Sequence, residues 1–291
     1  MTREREGELL MLGLSILESW FPILSIISLS YIGALHTYAF SLLISLVFFL
    51  TLMIKKRVFV ELKNRDAYRD LLLTSFWITT LFVLVFLGMQ YTTAGNMSVI
   101  IFLQLLFSYL YFNILGKDKM DFIHSFGALV MGIGAIIVLF PKNLVFNIGD
   151  WIILLAAAIA PIANLYSKRA RKFCSSETVL GFRTLVALPI ISLLAYLVEP
   201  QTSLQNIQKA LPYIVLIGLF IFGLSKILWM EALHRISITK ISALIALVPP
   251  MTLLFAYLYL DEIPQAHQII GIIPILIGGY FLTKPIKIEY H

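Results

Sequence analysis

Residues 241–282 read ISALIALVPPMTLLFAYLYLDEIPQAHQIIGIIPILIGGYFL, two long apolar runs parted by a short connector of Asp261, Glu262, Ile263 and Pro264. Neither run carries Lys, Arg, Asp or Glu, and each is apolar around its whole circumference. Helices of that kind belong inside a large core or a bilayer, not on a water-facing surface. A spanning helix needs roughly 20 apolar residues, close to what each run supplies.

Outward from this stretch the pattern repeats. Apolar segments bounded by charge, Pro or Gly fall at residues 9–31, 35–54, 70–88, 94–115, 122–140, 151–166, 177–198, 210–230, 238–259 and 265–282. The expectation is an all-α membrane protein with ten transmembrane helices, the charged residues before Leu9 opening a first span rather than a cleaved signal. The 291-residue chain is 60% hydrophobic and 13% charged, with a mean hydropathy of +0.92. Soluble domains are about 45–50% apolar and about 25% charged. Ten spans use up most of the chain, which excludes a nucleotide-driven engine, a large receptor domain and a soluble enzyme. The single cysteine, Cys174, excludes an intrachain disulfide and a cysteine-built metal site. The histidines are scattered without metal-ligand spacing, and there is no Gly-x-Ser-x-Gly elbow. No enzyme activity, catalytic residue, metal or cofactor is therefore expected.

Charge sets the orientation. With the N-terminus inside, Arg3, Arg5, the basic group at 55–69, Lys117, Lys119, the group at 168–172, Arg235, Lys240, Lys284 and Lys287 share the inner side. They make 18 of the 22 Lys and Arg residues, and only Lys142 and Lys209 lie on the other side. Cytoplasmic loops are enriched in Lys and Arg, so both termini are expected in the cytoplasm and the protein in an inner or plasma membrane. The same rule accounts for the net charge of +6. No basic patch is interleaved with exposed aromatics, so no nucleic-acid partner is expected.

An internal repeat runs through the chain. At an offset of 144, residues 88–139 lie on residues 232–283 without a gap, bringing Gly127 onto Gly271, Gly134 onto Gly278, Ser98 onto Ser242 and Asp118 onto Glu262. The earlier helices need an offset near 139, which places Pro22 on Pro161. Five spans per half is an odd number, so the expected halves, 1–140 and 150–284, face opposite ways across the membrane. Inverted repeats of this kind are common in secondary transporters, with the solute site near the midplane beside Pro-interrupted helices. Pro22 and Pro161 each free a backbone carbonyl one turn earlier, or simply kink their helices.

The stretch from Ile241 through Pro249, Tyr259, Asp261, Glu262, Gly271, Gly278 and Gly279 resembles the second repeat of EamA-type transporters. These are the ten-helix members of the drug/metabolite transporter superfamily. The first repeat departs from the family pattern, with Leu105 and Leu106 in place of the proline and Lys117-Asp118 where Gly-Glu is usual. The resemblance implies alternating-access transport of small organic solutes, with amino acids and related metabolites exported and, in other relatives, nucleotide sugars or phosphorylated sugars carried. It also implies a cavity lined by the first, third, fourth, sixth, eighth and ninth spans. No ATP is expected, since no Gly-x4-Gly-Lys-Ser/Thr loop is present. Import or exchange of sugars or anionic metabolites, and a lipid-linked scaffold or flippase-like role, remain open alternatives.

Among individual residues Glu18 is the sharpest. An ionised carboxylate in mid-span costs at least about 2.5–3.5 kcal/mol, so it must face the interior or a wet cavity. It reads either as a proton-binding group, which would make protons the coupling ion, or as the partner of a substrate amine, or as a hydrogen-bonded helix link. Arg183, two turns inside the seventh span, either snorkels or grips a substrate carboxylate or phosphate. Lys226 is expected to snorkel to the cytoplasmic interface, and Glu231 and Glu262 to act as solvated caps. Trp20, a cavity wall or a packing residue, joins Trp77, Tyr91, Gln104 and Asn164 as substrate-binding candidates, the last four with helix–helix hydrogen bonding at about 0.6 kcal/mol each as the competing role. The expected partners are thus the lipid bilayer and a small organic solute. The glycines seven apart, Gly127/Gly134 and Gly271/Gly278, read as packing positions.

Overall fold

A computed structural model describes residues 3–111, 122–139, 147–233, 235 and 244–282. Its elements run α1 (Arg3–Ile32), α2 (Ala34–Lys56), α3 (Tyr68–Met89), α4 (Ala94–Phe102), α5 (Gln104–Tyr109), α6 (Phe122–Leu139), α7 (Ile148–Ala170), α8 (Ser176–Val198), α9 (Leu204–Leu216), α10 (Ser225–Leu233), α11 (Val248–Leu260) and α12 (Ala266–Leu282). There is no strand among the described residues. Seven helices are long and apolar enough to cross a membrane, and three shorter apolar stretches, Ala94–Tyr109, Val248–Leu260 and Ala266–Leu282, accompany them.

The helices begin where sequence supplies acceptors for free backbone N–H groups. Thr93, Asn147, Ser175 and Ser203 accept from Asn96, Gly149, Thr178 and Asn206 at the starts of α4, α7, α8 and α9. Two expected spans differ in form. The stretch read as 94–115 is broken at Leu103 between α4 and α5, and its end lies outside the described residues. The stretch read as 210–230 is one rod from Leu204 to Leu233, with a π-helical segment at Ile217–Leu224 joining α9 to α10. Gly218 in that segment presses on α2, where an added Cβ would sit 2.6 Å from Ile44 and 2.7 Å from the Ser41 carbonyl. Residues 236–243, the start of the expected ninth span, lie outside the described residues.

Contacts between the two sequence halves come in reciprocal sets. α6 crosses α12 along the four glycines. A Cβ on Gly134 would meet the Gly271 carbonyl at 2.7 Å, and one on Gly278 would meet the Gly127 carbonyl at 2.5 Å. Only glycine allows backbones that close. α2 packs on α8, and the two are capped at opposite ends. Glu61, after α2, accepts from Ser175 N at 2.7 Å and Ser175 Oγ at 2.8 Å, ahead of α8. Glu199, after α8, accepts from Leu35 N at 2.8 Å and His36 N at 2.9 Å, at the start of α2. α3 pairs with α7 much as α1 pairs with the α9–α10 rod. Pro22 and Pro161 are both buried, inside helices that continue through them.

Candidate functional site

Three groups of side chains, two polar and one largely aromatic, occupy the space between the helices. The first lies between α1 and α10. Glu18 Oε1 accepts from Lys226 Nζ at 2.6 Å and Ser225 Oγ at 2.5 Å, with the Glu18 and Lys226 side chains 20% and 27% exposed. Snorkelling was the expectation for Lys226. The helix runs on to Leu233, two turns past Lys226, and the ammonium is held by the Glu18 carboxylate. The π-helical segment Ile217–Leu224 ends immediately before Ser225, and π-bulges are frequent at functional sites.

One turn along α1, Phe21 begins the second group. Phe21, Tyr38, Phe82, Phe86 and Phe222 form a cluster of edge-on and stacked rings, with centroid separations from 4.9 Å for Phe82–Phe222 to 6.3 Å for Phe86–Phe222. Arg183 enters it from α8, its guanidinium carbon 6.0 Å from the Phe82 ring centre. The residue is only 4% exposed, and no described carboxylate lies within ion-pair distance. Ser41 and Ser45, on the α2 face that carries Tyr38, and Thr74, two turns from Phe82 on α3, bury hydroxyl oxygens with no hydrogen-bond partner in the protein. The second and seventh spans contribute Tyr38 and Arg183 to this cluster.

The third group ties together the ends of α4, α7 and α12. Asp150 accepts from Thr92 Oγ1 and, at 2.9 and 3.2 Å, from Asn96 Nδ2. Gln268 Nε2 donates to Asn96 Oδ1 at 2.6 Å and Thr93 Oγ1 at 3.4 Å. Glu262, in the connector, accepts from Ala94 N at 3.2 Å and Gly95 N at 3.4 Å, a cap on α4 rather than a solvated end. Burial pushes the Glu262 carboxyl above the usual carboxylate range, against the lowering effect of those two N–H donors. A cavity of about 140 Å³ lies beside it, lined by Thr93, Leu253, Glu262 and Gln268 among others.

Of the sequence candidates, Glu18 belongs to the first group and Arg183 to the second. Trp20 stacks on Phe255 at 4.8 Å and meets Tyr259 edge-on at 4.7 Å, joining α1 to α11. Trp77 is half-buried against Phe76, and Gln104 is half-buried at the start of α5. Tyr91 is 56% exposed in the turn before α4, and Asn164 is exposed on α7, so neither joins the three groups. Sequence reading missed Asp150, which looked like the edge of a span. The signal present was Asn147-Ile-Gly-Asp150, a capped helix start. It also missed the ring cluster, because 21 phenylalanines give no local sign of which ones meet.

Apolar helices packed around buried charge define a multi-pass membrane protein. The EamA-like transporter family model matches residues 5–140 and 147–284, and the chain belongs to that family, a family of membrane transporters. It is similar to uncharacterized transporter YoaV of Bacillus subtilis (strain 168), 25% identical over 202 residues that cover 67% of this chain and 68% of that one. It is also similar to WAT1-related protein At3g02690, chloroplastic, of Arabidopsis thaliana, 26% identical over 211 residues. That match covers 68% of this chain but half the length of the Arabidopsis protein. A solved crystal structure shares the fold with a TM-score of 0.69 at 18% identity, covering 96% of this chain and 97% of that one.

Proposed function

We propose that the chain is a secondary-active transporter that exports amino acids or related small metabolites across an inner (plasma) membrane by alternating access. In this reading ten spans form two inverted five-helix halves, with both termini cytoplasmic. The reciprocal Glu61 and Glu199 caps and the two-way glycine crossing of α6 and α12 support the inverted halves. The 18-to-2 distribution of basic residues supports the orientation. Export and the amino-acid class follow the family resemblance.

The observation that carries the reading is the Glu18–Lys226 ion pair with Ser225 beside it. Ionisable groups at such depth are expensive and usually mark a solute or ion path. A scaffold would gain nothing from a partly exposed pair, whereas a transporter can make and break it as the halves rock. Glu18 then exchanges Lys226 for a proton or for a solute amine. Counterflow in proteoliposomes loaded with pooled amino acids and metabolites tests this. Glu18→Gln is expected to fold normally and to lose at least tenfold in pH-gradient-driven transport. Normal gradient-driven transport by that variant would make Glu18 structural, and silence with every pool would remove the solute class.

A further inference from the structure

Asp150, Glu177 and Arg183 are the buried charged side chains among the described residues, apart from His124 if it is protonated. Asp150 is held by Asn96 and Thr92, and Glu177 by Lys56 at 2.6 Å. Glu18, only partly buried, has Lys226. Arg183 alone has neither a carboxylate nor a hydrogen-bonding side chain assigned to it, and its neighbours are the rings of Phe82 and Tyr38. A ring face offers a guanidinium far less than it costs to take an ion out of water. Arginine cannot escape by losing its proton. The charge must therefore be matched by something that the described residues do not supply.

We infer that Arg183 is the binding site for the carboxylate of an organic solute, which enters beside Tyr38 and Phe82. This deepens the transporter reading and rests on it. The missing charge is one, and a carboxylate brings one. A phosphate monoester brings about −1.5 to −2 and would leave an excess of negative charge buried. The planar guanidinium suits a two-oxygen grip. The rings give the carbon body of the solute an apolar wall. Ser41 and Ser45 on α2 and Thr74 on α3 offer hydroxyls in two stripes that run from Tyr38 and Phe82 toward the Lys56 end of the bundle. A polar solute leaving Arg183 in that direction would find partners at each step.

The test uses the full chain in lipid nanodiscs and reads thermal unfolding, with sodium benzoate and sodium acetate as probes and benzamide and inorganic phosphate as controls. Millimolar benzoate is expected to raise the midpoint of the wild type by several degrees. Benzamide, of the same size but uncharged, should leave it unchanged, and phosphate should have a smaller effect than benzoate. In carboxylate-free buffer Arg183→Gln should unfold at a higher temperature than the wild type, because it removes an unmatched buried charge, and it should no longer respond to benzoate. If Arg183→Gln fails to fold, the benzoate–benzamide comparison on the wild type still decides. Equal shifts with benzoate and benzamide, stronger stabilisation by phosphate, or a full benzoate response in Arg183→Gln would each overturn the inference. Counterflow separates it from the broader reading. Transport of solutes lacking a carboxylate, unchanged by Arg183→Gln, overturns the inference and leaves the transporter reading standing. An Arg183-dependent benzoate shift without counterflow of any pool supports the site while removing the transport reading.

Discussion

The two halves of the molecule agree in what holds the backbone and disagree in what fills the interior. Gly127 and Gly134 press on Gly278 and Gly271, and Glu61 caps one half as Glu199 caps the other. The charged groups have no such counterparts. At an offset of 139, Glu18 falls on Ala157, Arg183 on Ile44 and Asp150 on Met11. Shared positions are those where backbones meet, so they answer to geometry, which both halves need. Unshared positions hold charges whose partners belong to one place in the bundle, Lys226 for Glu18 and Asn96 with Thr92 for Asp150. The asymmetry extends to the ends of the bundle. Asp150, Asn96, Thr92 and Gln268 seal one end with hydrogen bonds between helices of both halves. Toward the other end Glu18 and Lys226 stay partly open.

The comparison breaks most completely if the halves do not face opposite ways. Single cysteines placed near Lys56 and at Asn147, with Cys174 replaced, should label with membrane-impermeant maleimide from opposite sides of the membrane. Labelling of both from one side would end the inverted arrangement.

The shared scaffold can be broken next. A Cβ at Gly278 would already lie 2.5 Å from both the Gly127 carbonyl and Met131 N. Gly278→Leu must therefore push α6 off α12, at a cost of about 1–3 kcal/mol or more. It is expected to lose most of the monodisperse protein on size exclusion. Gly132→Ala, where an added Cβ meets nothing within 4 Å, should elute like the wild type. Similar behaviour of the two variants would mean that the seam does not hold the halves together.

A smaller effect sharpens the asymmetric side. Asp150→Met installs the residue that the other half carries at the matching position, and it strips Asn96 and Thr92 of their acceptor. Each buried donor left unpaired costs about 1–3 kcal/mol. The unfolding midpoint should fall by several degrees, and a cysteine at Thr93 should label faster. An unchanged midpoint would mean that the network is not a seal.

Much of this was legible in the sequence because a bilayer punishes any exposed polar backbone or charge, so apolar segments, their approximate ends and the glycine pairs had to be written into the chain locally. Glu18 stood out for the same reason, as a charge where charge is costly. Its partner did not. Lys226 reads as a snorkelling residue because it lies near the end of its helix, and nothing local shows that Glu18, 208 positions earlier, stands within 2.6 Å of it. Trp20 was legible as a cavity wall or a packing residue, but its packing partners were not, since Phe255 and Tyr259 lie more than two hundred positions away.

The sequence by itself determined that the chain is an array of membrane helices, where most of them lie, which residues repeat between the halves, and to which family it belongs. Each of these depends on the composition or spacing of neighbouring residues, which a bilayer and close helix packing read directly. Only the tertiary structure decided which buried charges are matched. Pairing depends on distances of a few ångströms between helices far apart in the chain, which bring Ser225 and Lys226 to Glu18 and leave Arg183 facing rings.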